Sequence, residues 1–291
     1  MPGIVAAALC WPDIRRRGPG AGRRCSRAAG RVMGRTARHG EDASMRSCMW
    51  LAALALLLGS ASAHAFSADE LIAKNAEARG GLDKLQAIKT LRLQGTLMVG
   101  GDYQLGYAQM QKRPDRLRIE ASLQGLTMVQ AWDGAQGWQI QPFEGRKDPA
   151  TMSADDAKEL SEQADIDGVL QGARAAGASV RYLGTEDVDG TEAHKLEVTL
   201  KNGDSYTVYL DPDYFLEIRE VARRIVRGVP VETETDYGDY EKVAGVYFPF
   251  SIETGTKGTT QKQKISIDKA EANVPLDDAM FAFPAGAGGK H

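Results

Sequence analysis

Hydrophobic and polar positions alternate along residues 116–123. Leucine, isoleucine or alanine occupies each odd position from 117 to 123, and arginine, glutamate or serine occupies each even position. This period of two is typical of a strand with one buried face and one exposed face. Two further segments rich in strand-forming residues, 126–132 and 138–140, are separated from their neighbours by turns at Gly125 and Asp133-Gly134. Residues 111–146 are therefore predicted to form an antiparallel meander.

Two regions have helical signals instead. Ser67 is a predicted N-cap, two acidic residues follow it in the first turn, where negative charge favours the helix dipole, and a Gly-Gly pair ends the helix at residue 81. Residues 152–172 are predicted to be helical as well, with Ser153 as the cap and a narrow apolar stripe. A narrow stripe buries little surface, so this second helical region is predicted to be able to move.

Strand patterns dominate the remainder of the chain. The alternation recurs in residues 90–107 and through most of 194–270, interrupted by turns rich in glycine, asparagine and aspartate. These segments give about ten strands, and an antiparallel sheet of that size must curl. The predicted fold class is α+β: a single large curved antiparallel sheet, an unclosed half-barrel, with helices covering its concave face. A closed, lipocalin-like barrel is the structural alternative.

The amino-terminal region differs from the rest in composition. Residues 1–44 are rich in arginine, glycine and alanine without apolar periodicity, so they are predicted to be disordered. From Met45 a short positive region, an apolar run and small residues predict a secretory signal peptide over 45–65, cut after Ala65. We interpret Met45 as the true start and 1–44 as an over-extension of the reading frame. The alternative starts at Met1 and makes residues 50–65 a membrane anchor, although their apolar core is too short to span a bilayer.

The predicted mature domain, residues 66–291, is acidic and lacks cysteine. Residues 1–65 hold all three cysteines, 10 of the 36 Lys and Arg, and 3 of the 39 Asp and Glu, which leaves 26 cationic and 36 anionic side chains. A net charge of −10 repels phosphate backbones, so nucleic acid is excluded as a partner. A cleaved signal peptide predicts a periplasmic location in a bacterium with two membranes.

Residues that usually carry catalysis are sparse in this domain. Only His194 and His291 follow residue 65, so the sequence offers no histidine pair or cysteine cluster for a metal. No P-loop or G-x-S-x-G motif is present. His194 lies on an apolar strand face, where a structural histidine is expected, and the acidic pairs at 155–156 and 277–278 are typical of helix starts. The sequence therefore predicts a protein that is not an enzyme and uses no metal or other cofactor.

Several motifs are similar to one family. Lys-Arg-Pro at 112–114, followed by a strand and by WDGAQGW at 132–138, resembles the signature of the LolA-type outer-membrane lipoprotein carriers and their superfamily. The segments 165–170, 182–200 and 209–219 resemble lipoprotein-sorting-like members, and the resemblance covers roughly residues 67–285. It implies a half-barrel whose middle helical region helps to cover the mouth of a cavity. It also implies that Arg113 is a latch, which hydrogen-bonds backbone groups of this helical lid and releases them when cargo enters.

The apolar strand faces provide the candidate binding surface. They bring six side chains toward the helices, either as the lining of a cavity for acyl chains or as a solid core, and periodicity leaves both open: Leu93, Leu97, Leu117, Ile119, Met128 and Trp132. The predicted function is a non-catalytic periplasmic binding or carrier protein for a lipid or an acylated lipoprotein. The alternatives are a sensor or interaction module of envelope signalling, with a stable protein partner, and an enzyme acting on lipids.

Overall fold

The structure is a computed structural model that describes residues 66–285. The region predicted to be disordered, 1–44, the predicted signal peptide, 45–65, and His291 lie outside the described residues. Residues 66–285 contain four α-helices and thirteen strands. Within this range, none of the helices has the length and hydrophobicity needed to cross a bilayer.

The helices and strands follow one another with short connections. The helices are α1 (Ala68–Ala78), α2 (Leu82–Ala87), α3 (Ala154–Gln163) and α4 (Gly168–Ala175). The strands are β1 (Thr90–Val99), β2 (Tyr103–Lys112), β3 (Arg116–Leu123), β4 (Leu126–Trp132), β5 (Gly137–Gln141), β6 (Arg146–Thr151), β7 (Ser179–Val188), β8 (Thr191–Thr199), β9 (Ser205–Leu210), β10 (Glu217–Val226), β11 (Val229–Val243), β12 (Val246–Thr256) and β13 (Gln263–Ala272). Short 3₁₀ turns occur at Pro142–Glu144 and Asp278–Met280.

All thirteen strands belong to one antiparallel sheet, in the order β6-β5-β4-β3-β2-β1-β13-β12-β11-β10-β9-β8-β7. The edge strands β6 and β7 pair with one neighbour each, so the sheet does not close. The prediction of an unclosed antiparallel sheet is confirmed and the closed barrel is excluded. The strand count exceeds the predicted ten because both edge strands have weak patterns. β6 is almost wholly exposed and contains Pro149, which an edge tolerates, and β7 has only a short alternation at Val180 and Tyr182.

The helices pack on one face of the sheet, which we call the inner face. Near β1–β4, the inner face forms an apolar cluster with α2 and α3, and near β8–β10 it forms a second cluster with α1 and α4. Directly paired residues lie on the same side of a sheet, and the register connects the two clusters through β10–β13. The helices therefore cover the two flanks of one continuous inner face.

Local sequence signals explain the helix boundaries. Ser67 and Glu70 form a capping box at the start of α1, and the Ser153 hydroxyl accepts a hydrogen bond from the backbone N–H of Asp156 at the start of α3. The region predicted as one helix over 152–172 is two helices, α3 and α4, joined by the turn at residues 164–167. Gly168 has a φ of 80° after this turn, a conformation that suits glycine.

The carboxy-terminal segment packs on the opposite, outer face of the meander. Phe281 is fully buried beside Met110, and its carbonyl oxygen accepts a hydrogen bond of 2.7 Å from the Trp138 indole N–H. Phe283 meets the Trp138 ring edge-on at 6.1 Å. The meander is therefore covered on both faces, whereas its alternating pattern predicts one exposed face.

Candidate functional site

The structure brings the six predicted binding residues into one cluster on the inner face. Five of them have exposed fractions of 3% or less, and Trp132 is partly buried against the others. The same cluster contains Leu160 of α3 and Ala164 directly after it, together with Leu85 of α2 and the following Ile88. α3 therefore lies directly against the apolar surface that the sequence predicts as the binding site.

Arg113, the predicted latch, joins three parts of the fold. Its Nε donates a hydrogen bond of 2.8 Å to the carbonyl of Ile88, and its Nη2 donates one of 3.2 Å to the carbonyl of Leu85. Its guanidinium also forms a two-pronged ion pair with Asp167, in which Nη1 lies 2.9 Å from Oδ2. This carboxylate raises the pKa of Arg113. The backbone contacts are made with α2, and the connection to α3 and α4 is made through a side chain.

The turn that joins α3 to α4 is held by two arginines. Asp167 belongs to this turn, and its carbonyl oxygen accepts a hydrogen bond from Arg79, the last residue of the α1 region. Asp165 accepts a hydrogen bond of 2.9 Å from the backbone N–H of Asp167, and burial raises the pKa of Asp165. The sequence pattern predicts no role for Asp167, since its only local signal is an aspartate before a glycine.

The far side of α3 is attached to β8–β10 by polar groups. Glu162 accepts hydrogen bonds from the Tyr206 hydroxyl and, at 3.1 and 3.2 Å, from the Arg224 guanidinium. Lys158 forms an ion pair of 2.5 Å with Asp204. We call this set of contacts the polar anchor. It lies opposite the apolar side of α3, so the two sides of this helix are held by different kinds of interaction.

Burial also changes the pKa of Glu159, a residue of α3 that lies next to the polar anchor. Arg224 has an exposed side-chain fraction of only 8%. Burial raises the pKa of Glu159 to about 7, although Arg224, 3.8 Å away, opposes the shift. Nearby Glu162 and Asp156 raise this pKa further. Glu159 therefore changes its charge near neutral pH at the surface where α3 meets the sheet.

A glycine lets α3 approach the meander closely. A Cβ atom on Gly137 would lie 2.9 Å from the Cβ of Ala157 in α3 and 3.1 Å from the sulfur of Met152. Contacts below 3 Å require something to shift. The second glycine of the WDGAQGW motif therefore has a steric role: it provides the space in which α3 lies.

The residues considered for catalysis have structural partners. His194 is 7% exposed, stacks on Phe215 at 5.8 Å and contacts the Tyr182 hydroxyl through Nδ1 at 3.1 Å; burial lowers its pKa. Asp155 accepts a hydrogen bond from the backbone of the β10–β11 turn, and Asp277 caps the last 3₁₀ turn. Residues 66–285 contain no group of three or more His, Cys, Asp or Glu side chains positioned to hold a metal ion.

Strands β12 and β13 pair only over residues 251–254 and 263–266. A separate open depression of about 420 Å³ lies beside the part where they are no longer paired. None of the seven predicted site residues lines it. Its lining is Asp239, Tyr240, Glu241, Phe250, Ser266 and Ile267.

Comparisons with known proteins identify the fold. No protein-family model and no curated protein matches the chain. A solved DUF1329 family protein from Desulfovibrio piger is 13% identical with a TM-score of 0.51, over 74% of this chain and 97% of the other. A putative outer membrane lipoprotein-sorting protein domain from Vibrio parahaemolyticus is 11% identical with a TM-score of 0.52, over 74% and 97%. A LolA superfamily protein from Nitrosomonas europaea, 14% identical over 75% and 98%, has a TM-score of 0.49. The predicted resemblance is confirmed at the level of the fold: this chain shares the fold of the DUF1329 family protein and of the putative lipoprotein-sorting protein domain.

Proposed function

We propose that this protein is a periplasmic carrier that binds the acyl chains of a lipid or an acylated lipoprotein on its inner face, beneath α3. The two-sided attachment of α3 is the observation that carries the proposal. Leu160 and Ala164 cover the apolar cluster, while the contacts that the structure shows from α3 to β8–β10 are hydrogen bonds and ion pairs. Separating such polar groups lets water replace the lost partners, so α3 can leave β8–β10 at modest cost.

Burial of an acyl chain supplies the driving force. Each methylene group transferred from water contributes roughly 0.8 kcal/mol, so a chain of about a dozen carbons offsets the cost of displacing a helix and ordering the ligand. In the state that the structure shows, which we call closed, α3 packs against β3, β4 and β5, and its Leu160 belongs to the same apolar cluster as the five leucine, isoleucine and methionine side chains of the predicted binding site. Cargo and α3 therefore compete for the same apolar surface.

Arg113 sets the balance between the two states in this proposal. Its hydrogen bonds to the carbonyls of Leu85 and Ile88 attach it to α2, and its ion pair with Asp167 attaches the α3–α4 turn. A few such contacts give a closed state favoured by only a few kcal/mol, which differential binding of a ligand can overcome. The lipoprotein-sorting domain with a similar fold supports the choice of cargo class.

Native mass spectrometry with organic extraction tests the proposal. The full chain is purified from a bacterial periplasm, and we expect a bound lipid or acyl-peptide mass that is lost in Leu117→Glu, which places a charge in the apolar cluster. Ser122→Glu is the matched control, because Ser122 is exposed on the outer face of the same strand. The proposal fails if the wild-type protein carries no lipid and takes up no fluorescent fatty acid; a stable protein partner would then indicate an interaction module.

A further inference from the structure

A row of polar side chains crosses the inner face beside the apolar cluster. Glu220 on β10 lies opposite Thr235 on β11, and Thr254 on β12 lies opposite Gln263 on β13. Thr235 and Thr254 are also paired, with their hydroxyl oxygens 2.8 Å apart. We call these four residues the polar row. They occupy one transverse line across four adjacent strands, between the two flanks that the helices cover.

Both ends of the polar row have an unused acceptor. Glu220 is 3% exposed, and its Oε1 has no hydrogen-bond partner among the described residues. Oε1 of Gln263 is likewise buried and without a partner in that part of the chain. Buried polar atoms are normally paired, because an unpaired one loses its hydration without compensation. These two atoms, one on β10 and one on β13, therefore define two positions at which hydrogen-bond donors from outside the chain would be stabilised.

The polar row is continuous with the predicted binding surface. Ile265, two residues from Gln263 on β13, lies directly opposite Leu97 of the apolar cluster. Two residues along a strand span about 6.6 Å, a distance of a few bonds in a ligand. A molecule with its chain on Leu97 thus brings its adjoining polar group to the row.

We propose that the polar row recognises uncharged hydrogen-bond donors, hydroxyl or amide N–H groups, situated next to the acyl chain of the cargo. This inference rests on the proposed carrier function and specifies its ligand class. Burial raises the pKa of Glu220 and so favours its neutral form, which does not require a cationic partner. Gln263 and the two threonines are uncharged and bind neutral groups in the same way. A chain without donors would leave the acceptors at both ends unpaired.

Two neutral probes with the same acyl chain test this inference on the delipidated full chain. Monomyristoylglycerol supplies hydroxyl donors next to its chain, whereas methyl myristate supplies none. Affinities are measured by displacement of a fluorescent fatty acid, and we expect monomyristoylglycerol to bind at least about tenfold more tightly, since sites built for hydrogen bonds reject ligands that lack them. The double variant Glu220→Leu/Gln263→Leu is expected to reduce this preference to less than about threefold.

Two further variants separate recognition from folding. Gln94→Leu is the matched control, because Gln94 is exposed on β1 away from the inner face, and it should keep the wild-type preference. Thr235→Val conserves shape and should weaken the preference without unfolding the protein. Equal binding of both probes to the wild type, or an unchanged preference in the double variant, overturns the inference while leaving the carrier in place. Binding of neither probe overturns the carrier function itself.

Discussion

Arg113 and Asp167 form an ion pair that connects the β2–β3 turn to the turn between α3 and α4, with Nη1 of the arginine 2.9 Å from Oδ2 of the aspartate. Both side chains are about one-fifth exposed, so the pair is largely shielded from solvent. Because the same guanidinium donates hydrogen bonds to two carbonyl oxygens in and after α2, it attaches the α3–α4 turn to α2. Changing either member of this pair should therefore alter how firmly the α3–α4 turn is held.

Replacing Arg113 with glutamine should loosen α3 and leave the sheet intact. The change removes a shielded ion pair and leaves Asp167 without its main partner. We expect this to lower the stability of the closed state by about 1–3 kcal/mol. Hydrogen exchange should become faster in α3 and in the following turn, and fatty-acid uptake should accelerate. Arg146→Gln, at an exposed ion pair, is the control and should change neither. Equal exchange in both variants would mean that Arg113 does not hold α3.

The polar anchor offers a second, independent way to release α3. Arg224→Met keeps the length and much of the volume of the side chain, but removes the hydrogen bonds to Glu162 and leaves this carboxylate in a shielded site. We expect a loss of about 2–4 kcal/mol in the free energy of unfolding and faster uptake. Combined with Arg113→Gln, the effects on uptake should be roughly additive, because the two contacts share no residue. Urea titrations and stopped-flow uptake measure both quantities.

Alternation and turn residues were sufficient to predict most of the sheet. The meander around Leu117 and Ile119 could be predicted because each strand has an apolar stripe and ends at a glycine-containing turn. The edge strands were harder to predict, since each pairs on one side only: β6 is almost wholly exposed, and β7 has only a short alternation at Val180 and Tyr182. Local pattern thus predicts strands that pack on a core, whereas an edge strand that is largely exposed has only a weak pattern.

The candidate site was predictable only in part for the same reason. The residues of the apolar cluster have a period of two, and Arg113 belongs to a recognisable motif. By contrast, Asp167 and Glu162 acquire their roles from partners 54 and 62 residues away. The polar row requires the register of four strands, which no local pattern contains. Contacts of this kind become visible only when the strand order is known.

Gly137→Val should displace α3 by steric pressure. The new Cβ would lie 2.9 Å from the Cβ of Ala157, and because neither atom is the end of a flexible side chain the helix must shift. We expect a loss of about 1–3 kcal/mol in stability and increased hydrogen exchange confined to α3. Gly106→Val is the control, since the nearest atom to a Cβ there is a carbonyl oxygen at 3.8 Å. Unchanged exchange in α3 would contradict the close-approach argument.

The carboxy-terminal segment should contribute to stability without affecting uptake. Phe281 is fully buried on the outer face, so Phe281→Ala is expected to cost about 3–5 kcal/mol and to lower the melting temperature clearly. Its effect on fatty-acid uptake by the folded protein should be small, because the outer face does not contact α3. Tyr214→Ala, at a side chain that is 72% exposed, should leave the melting temperature nearly unchanged. A large change in uptake by the Phe281 variant would indicate that the two faces are coupled.

The attachment of α3 should weaken as the pH rises toward neutrality. Burial raises the pKa of Glu159 to about 7, above the ordinary value of 4.5 that it regains on unfolding. Between these values the folded protein holds a proton that the unfolded chain has lost, so the contribution of Glu159 is complete below about pH 4.5 and disappears as the pH rises through 7. Urea unfolding from pH 5 to 8 should show that the wild type loses about 1–3 kcal/mol in the free energy of unfolding relative to Glu159→Gln, which cannot ionise.

His194 contributes the opposite slope to both proteins, because its pKa is lowered, and its contribution therefore cancels in this difference. Glu77→Gln, at an exposed position in α1, should follow the wild-type curve. Parallel curves for wild type and Glu159→Gln would show that Glu159 is already ionised in the closed state.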